Sequence, residues 1–153
     1  KVALYTAPSS VSDHITANVL EDDAFVDGYL KTNAERLADA FSFSVRWLRE
    51  RGIPYAPGAN AAFFLWVDLG AVYLRNARKG GINGVGGKEQ TEGEDVTAVV
   101  TKKLLDHRVF LASGEQFGSE RPGWFRIVFS QPREELEEGM RRMAEALNLR
   151  SGN

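Results

Sequence analysis

The segment from residue 22 to residue 51 constrains the fold most strongly, because its apolar residues recur in steps of three and four. The stripe consists of Val26, Leu30, Ala34, Leu37, Phe41, Val45 and Leu48. This spacing places apolar side chains on one face of an α-helix. With Asp22 or Asp23 as N-cap and Gly52 as terminator, the helix would run for about 29 residues, or about 43 Å. A helix of that length outspans a small globule, so we expect either a break at Gly28 or an end that contacts something outside this chain.

A second informative segment, residues 122–130, has the composition of a β-strand with one charged residue in its middle. Aromatic and β-branched residues fill it, and Pro-Gly and Gln-Pro pairs bound it. Because side chains alternate along a strand, Arg126 shares a face with Trp124 and Val128. A buried and unpaired guanidinium would be costly, so its partner is a protein carboxylate, water at a sheet edge, or an external anion. The planar fork of the guanidinium suits a bidentate carboxylate, but residue chemistry alone leaves these alternatives open.

The other elements alternate between helix and strand without βαβ regularity. Helices are predicted from a cap at Ser9, Ser10 or Ser12 to about Leu20, over residues 71–77, from residues 94–95 to about 107, and over residues 132–147. Strands are predicted over residues 60–69, which are nearly all apolar and indicate a central strand covered on both faces, and over residues 109–112. We therefore expect an α+β fold in which a small sheet of three or four strands packs against helices, one of them long.

The Gly-rich segment of about residues 78–93 is predicted to be a flexible surface loop. Its glycines invite a phosphate-loop interpretation, but no Gly-Lys-Ser/Thr closes the run and no dinucleotide fingerprint spacing occurs. We see no internal repeat, and 153 residues with 43% apolar composition are enough for one domain, residues 1–153, with a real core.

Charge and composition argue against several classes of protein. The net charge of −2 is spread over interspersed acids and bases, so no basic face indicates binding to nucleic acid or to a membrane surface. The absence of cysteine excludes disulfides, thiolate nucleophiles and zinc–thiolate sites, and it fits a cytoplasmic protein. The two histidines, His14 and His107, are too few for a His-rich metal site, and His107 is predicted to lie in a helix cap.

Four motifs together resemble a known family. They are Ser9-Ser10 at a helix start, the long helix ending in Arg-Glu-Arg-Gly-Ile, the Asn-Ala-Ala-Phe-Phe-Leu-Trp-Val-Asp-Leu strand, and Ser-Gly-x-x-Phe-Gly followed by Pro-Gly-Trp-Phe-Arg-Ile-Val-Phe. The chain is similar to the C-terminal part of class I/II pyridoxal-phosphate aminotransferases. Within that group it most resembles 1-aminocyclopropane-1-carboxylate synthases and their fungal relatives. The likeness covers nearly the whole chain except the Gly-rich segment.

The resemblance implies the small C-terminal domain of a fold type I enzyme that uses pyridoxal 5'-phosphate and acts on α-amino acids as a homodimer. It implies that Arg126 clamps the substrate's α-carboxylate, which would orient the Cα bond to be broken against the cofactor ring. More weakly, it implies that Ser9 and Ser10 lie near the dimer interface and the cofactor phosphate, whereas residue chemistry alone suggests a plain N-cap. It leaves open whether the enzyme is an aminotransferase or a synthase-like lyase.

The chain also departs from the family pattern. In the family, the lysine that forms the Schiff base with the cofactor follows a Ser-x-Ser/Thr motif. No lysine of this chain follows such a motif; the six lysines are Lys1, Lys31, Lys79, Lys88, Lys102 and Lys103. We therefore expect the chain to be about the last third of a longer enzyme, without the upstream cofactor-binding domain, and to be inactive alone. The alternative is a non-catalytic interaction or regulatory module that keeps the fold, with Arg126 paired to an internal acid.

Overall fold

The computed structural model describes residues 9–80 and 95–149 of the chain. Within those residues the elements are, in chain order, α1 Ser10–Leu20, α2 Asp23–Glu50, β1 Phe64–Asp68, α3 Leu69–Gly80, α4 Val96–Asp106, β2 Ala112–Ser113, a short 3-10 helix Gly114–Phe117, β3 Trp124–Val128 and α5 Arg133–Ala146. The predicted α+β fold with one long helix is confirmed. The chain divides into two compact units, Lys1–Asp39 and Ala40–Asn153.

The first unit, in its described part, consists of α1 and the beginning of α2. The long helix predicted from the apolar stripe is present. It continues through Gly28, so the alternative of a break at this residue is wrong. One helical glycine costs only about 1 kcal/mol, which the rest of so long a helix offsets. The apolar side chains of this unit are largely exposed, with Ile15 58% exposed and Leu30 56% exposed. α1 buries no residue.

The second unit contains the three-stranded sheet, whose order is β1-β3-β2 with both pairings antiparallel. The strand predicted to be central, residues 60–69, is therefore at an edge, and the central position belongs to β3. The edge strand is also not covered on both faces. Leu65 and Val67 are buried, whereas Phe64, Trp66 and Asp68 are only half-buried. Its apolar composition is explained by aromatic residues on the half-buried face.

The junction of β1 and α3 explains why the strand is shorter than predicted. The Asp68 carboxylate accepts a 2.8 Å hydrogen bond from the amide of Ala71, so this residue caps the helix and Leu69 is already helical. At its other end α3 extends to Gly80. Within this helix the Asn76 side-chain amide donates a 2.9 Å hydrogen bond to the carbonyl of Leu147, the C-cap residue of α5. Residues 78–80 of the predicted Gly-rich loop are therefore helical, and residues 81–93 lie outside the described part.

The end of α4 explains why β2 is shorter than the predicted strand at residues 109–112. The amide of Val109 donates a 2.9 Å hydrogen bond to the Leu104 carbonyl, and Arg108 has a φ of 59°. The Val109 amide is thus used to terminate the helix and is not available for a sheet ladder. Only Ala112 and Ser113 pair with β3.

The core lies between the inner face of the sheet and the helices of the second unit. The inner face is formed by Leu65, Val67, Phe125 and Ile127, which are all at most 4% exposed. The helices contribute the buried residues Leu48, Val72, Val100, Leu104, Leu136, Met140 and Met143. Asp95, which was predicted to lie in the first turn of the helix, is instead the N-cap of α4 and accepts hydrogen bonds from the amides of Thr97 and Ala98. His107 is the C-cap of α4, as predicted. Pro132 is at the N-cap of α5, one residue before the helix.

Candidate functional site

Arg126 lies in the middle of the central strand, so its backbone is held from both sides. It is directly opposite Trp66 of β1 and Ala112 of β2. Residues directly opposite each other in an antiparallel pair project from the same face of the sheet. The guanidinium therefore extends from the half-buried face, on the side opposite the core.

That face is rich in aromatic residues. We define the aromatic face as the half-buried side of the sheet together with the ring of Phe117; its members are Phe64, Trp66, Trp124, Arg126, Val128 and Phe117. The alternation predicted for residues 122–130 is confirmed, since Trp124, Arg126 and Val128 are half-buried while Phe125 and Ile127 are buried. The charged residue thus belongs to an accessible surface and is not a defect in the core.

Two rings contact the Arg126 guanidinium. Its Cζ atom lies 4.0 Å from the centre of the Phe117 ring and 5.0 Å from the centre of the Phe64 ring. Both rings also contact Trp66 edge-on, at centroid distances of 5.8 Å for Phe117 and 6.3 Å for Phe64. A guanidinium near aromatic faces is attracted by the negative charge density of the rings.

No carboxylate compensates this charge within residues 9–80 and 95–149. Arg126 takes part in no ion pair there, and its Nε atom is buried without a hydrogen-bond partner. The sequence left open that Arg126 reaches water from an edge strand, and this is wrong because β3 is the central strand. An acid of the described part is also not its partner. What the geometry offers is a planar cation with unused donors on an accessible face, which is chemistry suited to a carboxylate.

The turn between β2 and β3 determines where Phe117 lies. Phe117 ends the 3-10 helix, and Gly118 then takes a left-handed conformation with a φ of 76°. The amide of Ser119 donates a 3.0 Å hydrogen bond back to the Gly114 carbonyl. A Cβ on Gly114 would lie only 2.9 Å from the Cβ of Ser119, so the turn closes tightly at a position that requires glycine.

The start of β3 is fixed by a close approach of two glycines. The amide of Gly70 donates a 2.9 Å hydrogen bond to the Gly123 carbonyl, and the amide of Gly123 donates a 2.9 Å hydrogen bond to the hydroxyl of buried Thr97. A Cβ on Gly123 would lie 2.6 Å from the Cα of Gly70. These contacts hold β3, and with it Arg126, against the start of α3 and the first turn of α4.

The other predicted site residues, Ser9 and Ser10, belong to the first unit. Ser9 is the N-cap of α1 and Ser10 begins the helix. Both are exposed, and the Ser9 hydroxyl makes no capping hydrogen bond. Their relation to a cofactor stays a prediction.

The described residues contain no cluster of three or more metal-ligating side chains. His107 instead contacts the Lys103 carbonyl through Nδ1 at 2.9 Å, as expected for a residue at a helix end. None of the helices described is long and apolar enough to cross a membrane.

Phe64, Trp66 and Phe117 surround Arg126, but none of them was predicted from the sequence to be a site residue. For Phe64 and Trp66 a signal was present, since alternation places both on one side of β1. Which side that is depends on the pairing with β3, which the sequence does not specify. For Phe117 the signal was its position in Ser-Gly-x-x-Phe-Gly, directly before the strand that carries the arginine.

Comparison with known proteins identifies the family. Residues 2–143 match the family model for aminotransferase class I and II. The chain is 34% identical over 148 residues to 1-aminocyclopropane-1-carboxylate synthase-like protein 1 of Mus musculus, covering 96% of the chain and 26% of that protein. It is 29% identical over 130 residues to 1-aminocyclopropane-1-carboxylate synthase 4 of Oryza sativa, covering 85% of the chain and 24% of that protein. The chain thus spans about a quarter of the curated relatives it matches.

Solved structures share the fold. An aminotransferase from Mycobacterium tuberculosis superimposes with a TM-score of 0.67 at 23% identity, covering 96% of the chain and 33% of that structure. This similarity confirms the expected fold type I architecture. With a family model that matches almost the whole sequence, the chain belongs to the class I and II aminotransferase family.

Proposed function

We propose that the chain is the substrate-binding C-terminal part of a pyridoxal-phosphate enzyme that acts on α-amino acids, and that Arg126 binds the substrate's α-carboxylate. One observation carries the proposal: the guanidinium lies on the accessible aromatic face, and no acid in the described part of the chain pairs with it. An external carboxylate would supply the missing partner. The family membership supports an amino acid as the source of that carboxylate.

The geometry suits a positioning role. Two parallel N–H···O bonds from a guanidinium fix both the place and the plane of a carboxylate. Because β3 is paired on both sides, the Cα of Arg126 is held rigidly, and only its side chain has to be ordered. Arg126 would therefore fix the α-carbon of the substrate as well as contribute binding energy, so its loss would affect both affinity and rate.

The reaction is either transamination or a lyase reaction like that of 1-aminocyclopropane-1-carboxylate synthases, since relatives of both kinds resemble the chain. The proposal places the chain in a longer, cytoplasmic enzyme that forms a homodimer. The groups that would distinguish the two reactions are expected in the upstream part of that enzyme.

The residues around Arg126 do not themselves form a cofactor site. Neither Lys102 nor Lys103 joins the aromatic face: Lys102 pairs with Asp106 at 2.7 Å, and Lys103 lies over the ring of Tyr73. We therefore propose that this chain alone neither holds pyridoxal 5'-phosphate covalently nor turns over substrate. Ser9 and Ser10 are proposed to lie near the cofactor phosphate or the dimer interface of the longer enzyme.

The test is substitution of Arg126 in the full-length enzyme. We expect Arg126→Ala to keep the absorbance of the bound cofactor while raising the KM for the amino acid and lowering kcat/KM by about 100-fold, as for loss of a charged hydrogen-bonded pair of roughly 3 kcal/mol. Arg121→Ala is the matched control, because Arg121 is exposed in the preceding turn and only its backbone forms hydrogen bonds with the described residues. Unchanged kinetics in Arg126→Ala would refute the assigned role.

A further inference from the structure

We infer that Phe117 is a positioning residue, which holds the guanidinium of Arg126 in the orientation that receives the substrate carboxylate. The inference rests on the proposed function and deepens it. It starts from the 4.0 Å distance between the Arg126 Cζ atom and the centre of the Phe117 ring. Phe64 supports the same guanidinium from a second ring at 5.0 Å.

An arginine that awaits a ligand must be ordered without being satisfied. Its side chain has several rotatable bonds, and holding it in one conformation costs entropy. In many proteins a neighbouring carboxylate orders the side chain, but that carboxylate also occupies the donors that a ligand would need. In the part of the chain that the structure describes, no such acid contacts Arg126.

Aromatic rings order the side chain in a different way. A ring face attracts the cation through its quadrupole and offers no oxygen acceptor. The N–H donors of the guanidinium therefore stay available for a bidentate carboxylate. The Nε atom fits this arrangement, because it is buried and has no hydrogen-bond partner among the described residues.

Phe117 itself is poorly placed for a role in the core. It is 48% exposed, whereas the core residue Phe125 is fully buried. Its ring is held by an edge contact with Trp66 at 5.8 Å, and its backbone by the tight turn that ends at Gly118. Because the Phe117 ring is half-exposed, burial in the core does not explain its position. Its contact with the Arg126 guanidinium explains the position better.

The experiment measures binding of a matched pair of probes to the cofactor-loaded, full-length enzyme. The probes are 2-methylalanine and its amide, which differ only at the carboxylate, and the dissociation constants come from titration of the cofactor absorbance. We expect Phe117→Leu to weaken binding of 2-methylalanine by about 3- to 10-fold and to leave binding of the amide unchanged. Phe117→Tyr, which keeps the ring, should restore binding to within about twofold.

Phe110→Leu is the control, since Phe110 is 73% exposed and its ring makes no aromatic or cation–π contact with residues 9–80 and 95–149. The inference is overturned if Phe117→Leu binds 2-methylalanine as tightly as the wild type, if the Leu and Tyr variants lose affinity equally, or if the amide is weakened to the same extent. Should Phe117→Leu fail to fold, Phe64→Leu takes its place, and the same selective loss is expected.

Arg126→Gln separates the two proposals. If that variant binds both probes like the wild type, the proposed role of Arg126 fails, and the inference fails with it. If Arg126→Gln loses 2-methylalanine selectively while Phe117→Leu does not, only the positioning role of Phe117 is wrong.

Discussion

Arg126 and Trp66 are directly opposite each other in the antiparallel register of β3 and β1. The pair places a cation on the half-buried, aromatic side of a sheet whose other side is the core of the second unit. The chemistry of the face therefore depends on the position of β3, and that position depends on contacts at the end of the strand.

Gly123→Ala should destabilise the protein strongly. The residue has a φ of 80°, and a Cβ there would lie 2.6 Å from the Cα of Gly70, which is backbone and cannot rotate away. We expect a loss of at least about 2 kcal/mol in the free energy of unfolding, because a left-handed conformation and a backbone clash coincide. Unfolding in denaturant measures this loss in the free energy of unfolding.

Gly139→Ala is the matched control for that substitution. Gly139 lies in α5, and a Cβ there would meet nothing within 4 Å. Because alanine is the better helix former, we expect a gain of about 0.5–1 kcal/mol. If Gly123→Ala were as well tolerated as Gly139→Ala, the close approach of the two glycines would not be a feature of the native protein.

Thr97→Val should also destabilise the protein, although it preserves the shape of the side chain. The Thr97 hydroxyl is buried and accepts the 2.9 Å hydrogen bond from the Gly123 amide. Valine would leave this buried amide without a partner, at a cost of about 1–3 kcal/mol in the free energy of unfolding. Thr97→Ser keeps the hydroxyl and should lose clearly less than the valine variant; equal losses would contradict the assigned hydrogen bond.

Glu138 predicts a pH dependence of stability. Hydrogen bonds from Arg141 and Arg142 lower the pKa of the Glu138 carboxyl group from 4.5 to about 2. A carboxyl group with a lowered pKa in the folded state adds stability that is fully present above pH 4.5 and is lost as the pH falls towards 2. We expect Glu138→Gln to lower the melting temperature slightly at pH 7 and by less at pH 3.

The effect should be small, because solvent-accessible ion pairs are screened. Glu137→Gln serves as control, since Glu137 is exposed on the same helix and forms no ion pair within the described part of the chain. A Glu138→Gln variant whose melting temperature differs from the wild type by the same amount at both pH values would show that the arginine contacts do not hold the carboxylate ionised.

Local patterns of the sequence predicted much of the fold. The apolar stripe from Val26 to Leu48 predicted α2 to within a residue at its end, and alternation in residues 122–130 placed Arg126 on the correct face of β3. These features depend only on neighbours within a few residues. The pairing of strands depends on distant contacts, so the edge position of β1 was missed. The short β2 was missed because the end of α4 uses the Val109 amide.

The candidate site was predicted only in part, for the same reason. Arg126 stood out as a charge among apolar neighbours, which is a local signal. Its surroundings come from two other elements, since Phe64 lies on β1 and Phe117 ends the 3-10 helix that precedes β3. No periodicity links those positions, and only the folded register brings their rings within 5.0 Å of the guanidinium carbon.

The most direct test of the central claim is a crystal structure of the full-length enzyme with its cofactor and 2-methylalanine. The account predicts that both carboxylate oxygens accept hydrogen bonds from the Arg126 guanidinium at about 2.7–2.9 Å. Phe117 and Phe64 should keep their places beside the guanidinium. A ligand carboxylate bound elsewhere, with Arg126 paired to an aspartate or glutamate of the protein, would contradict the account.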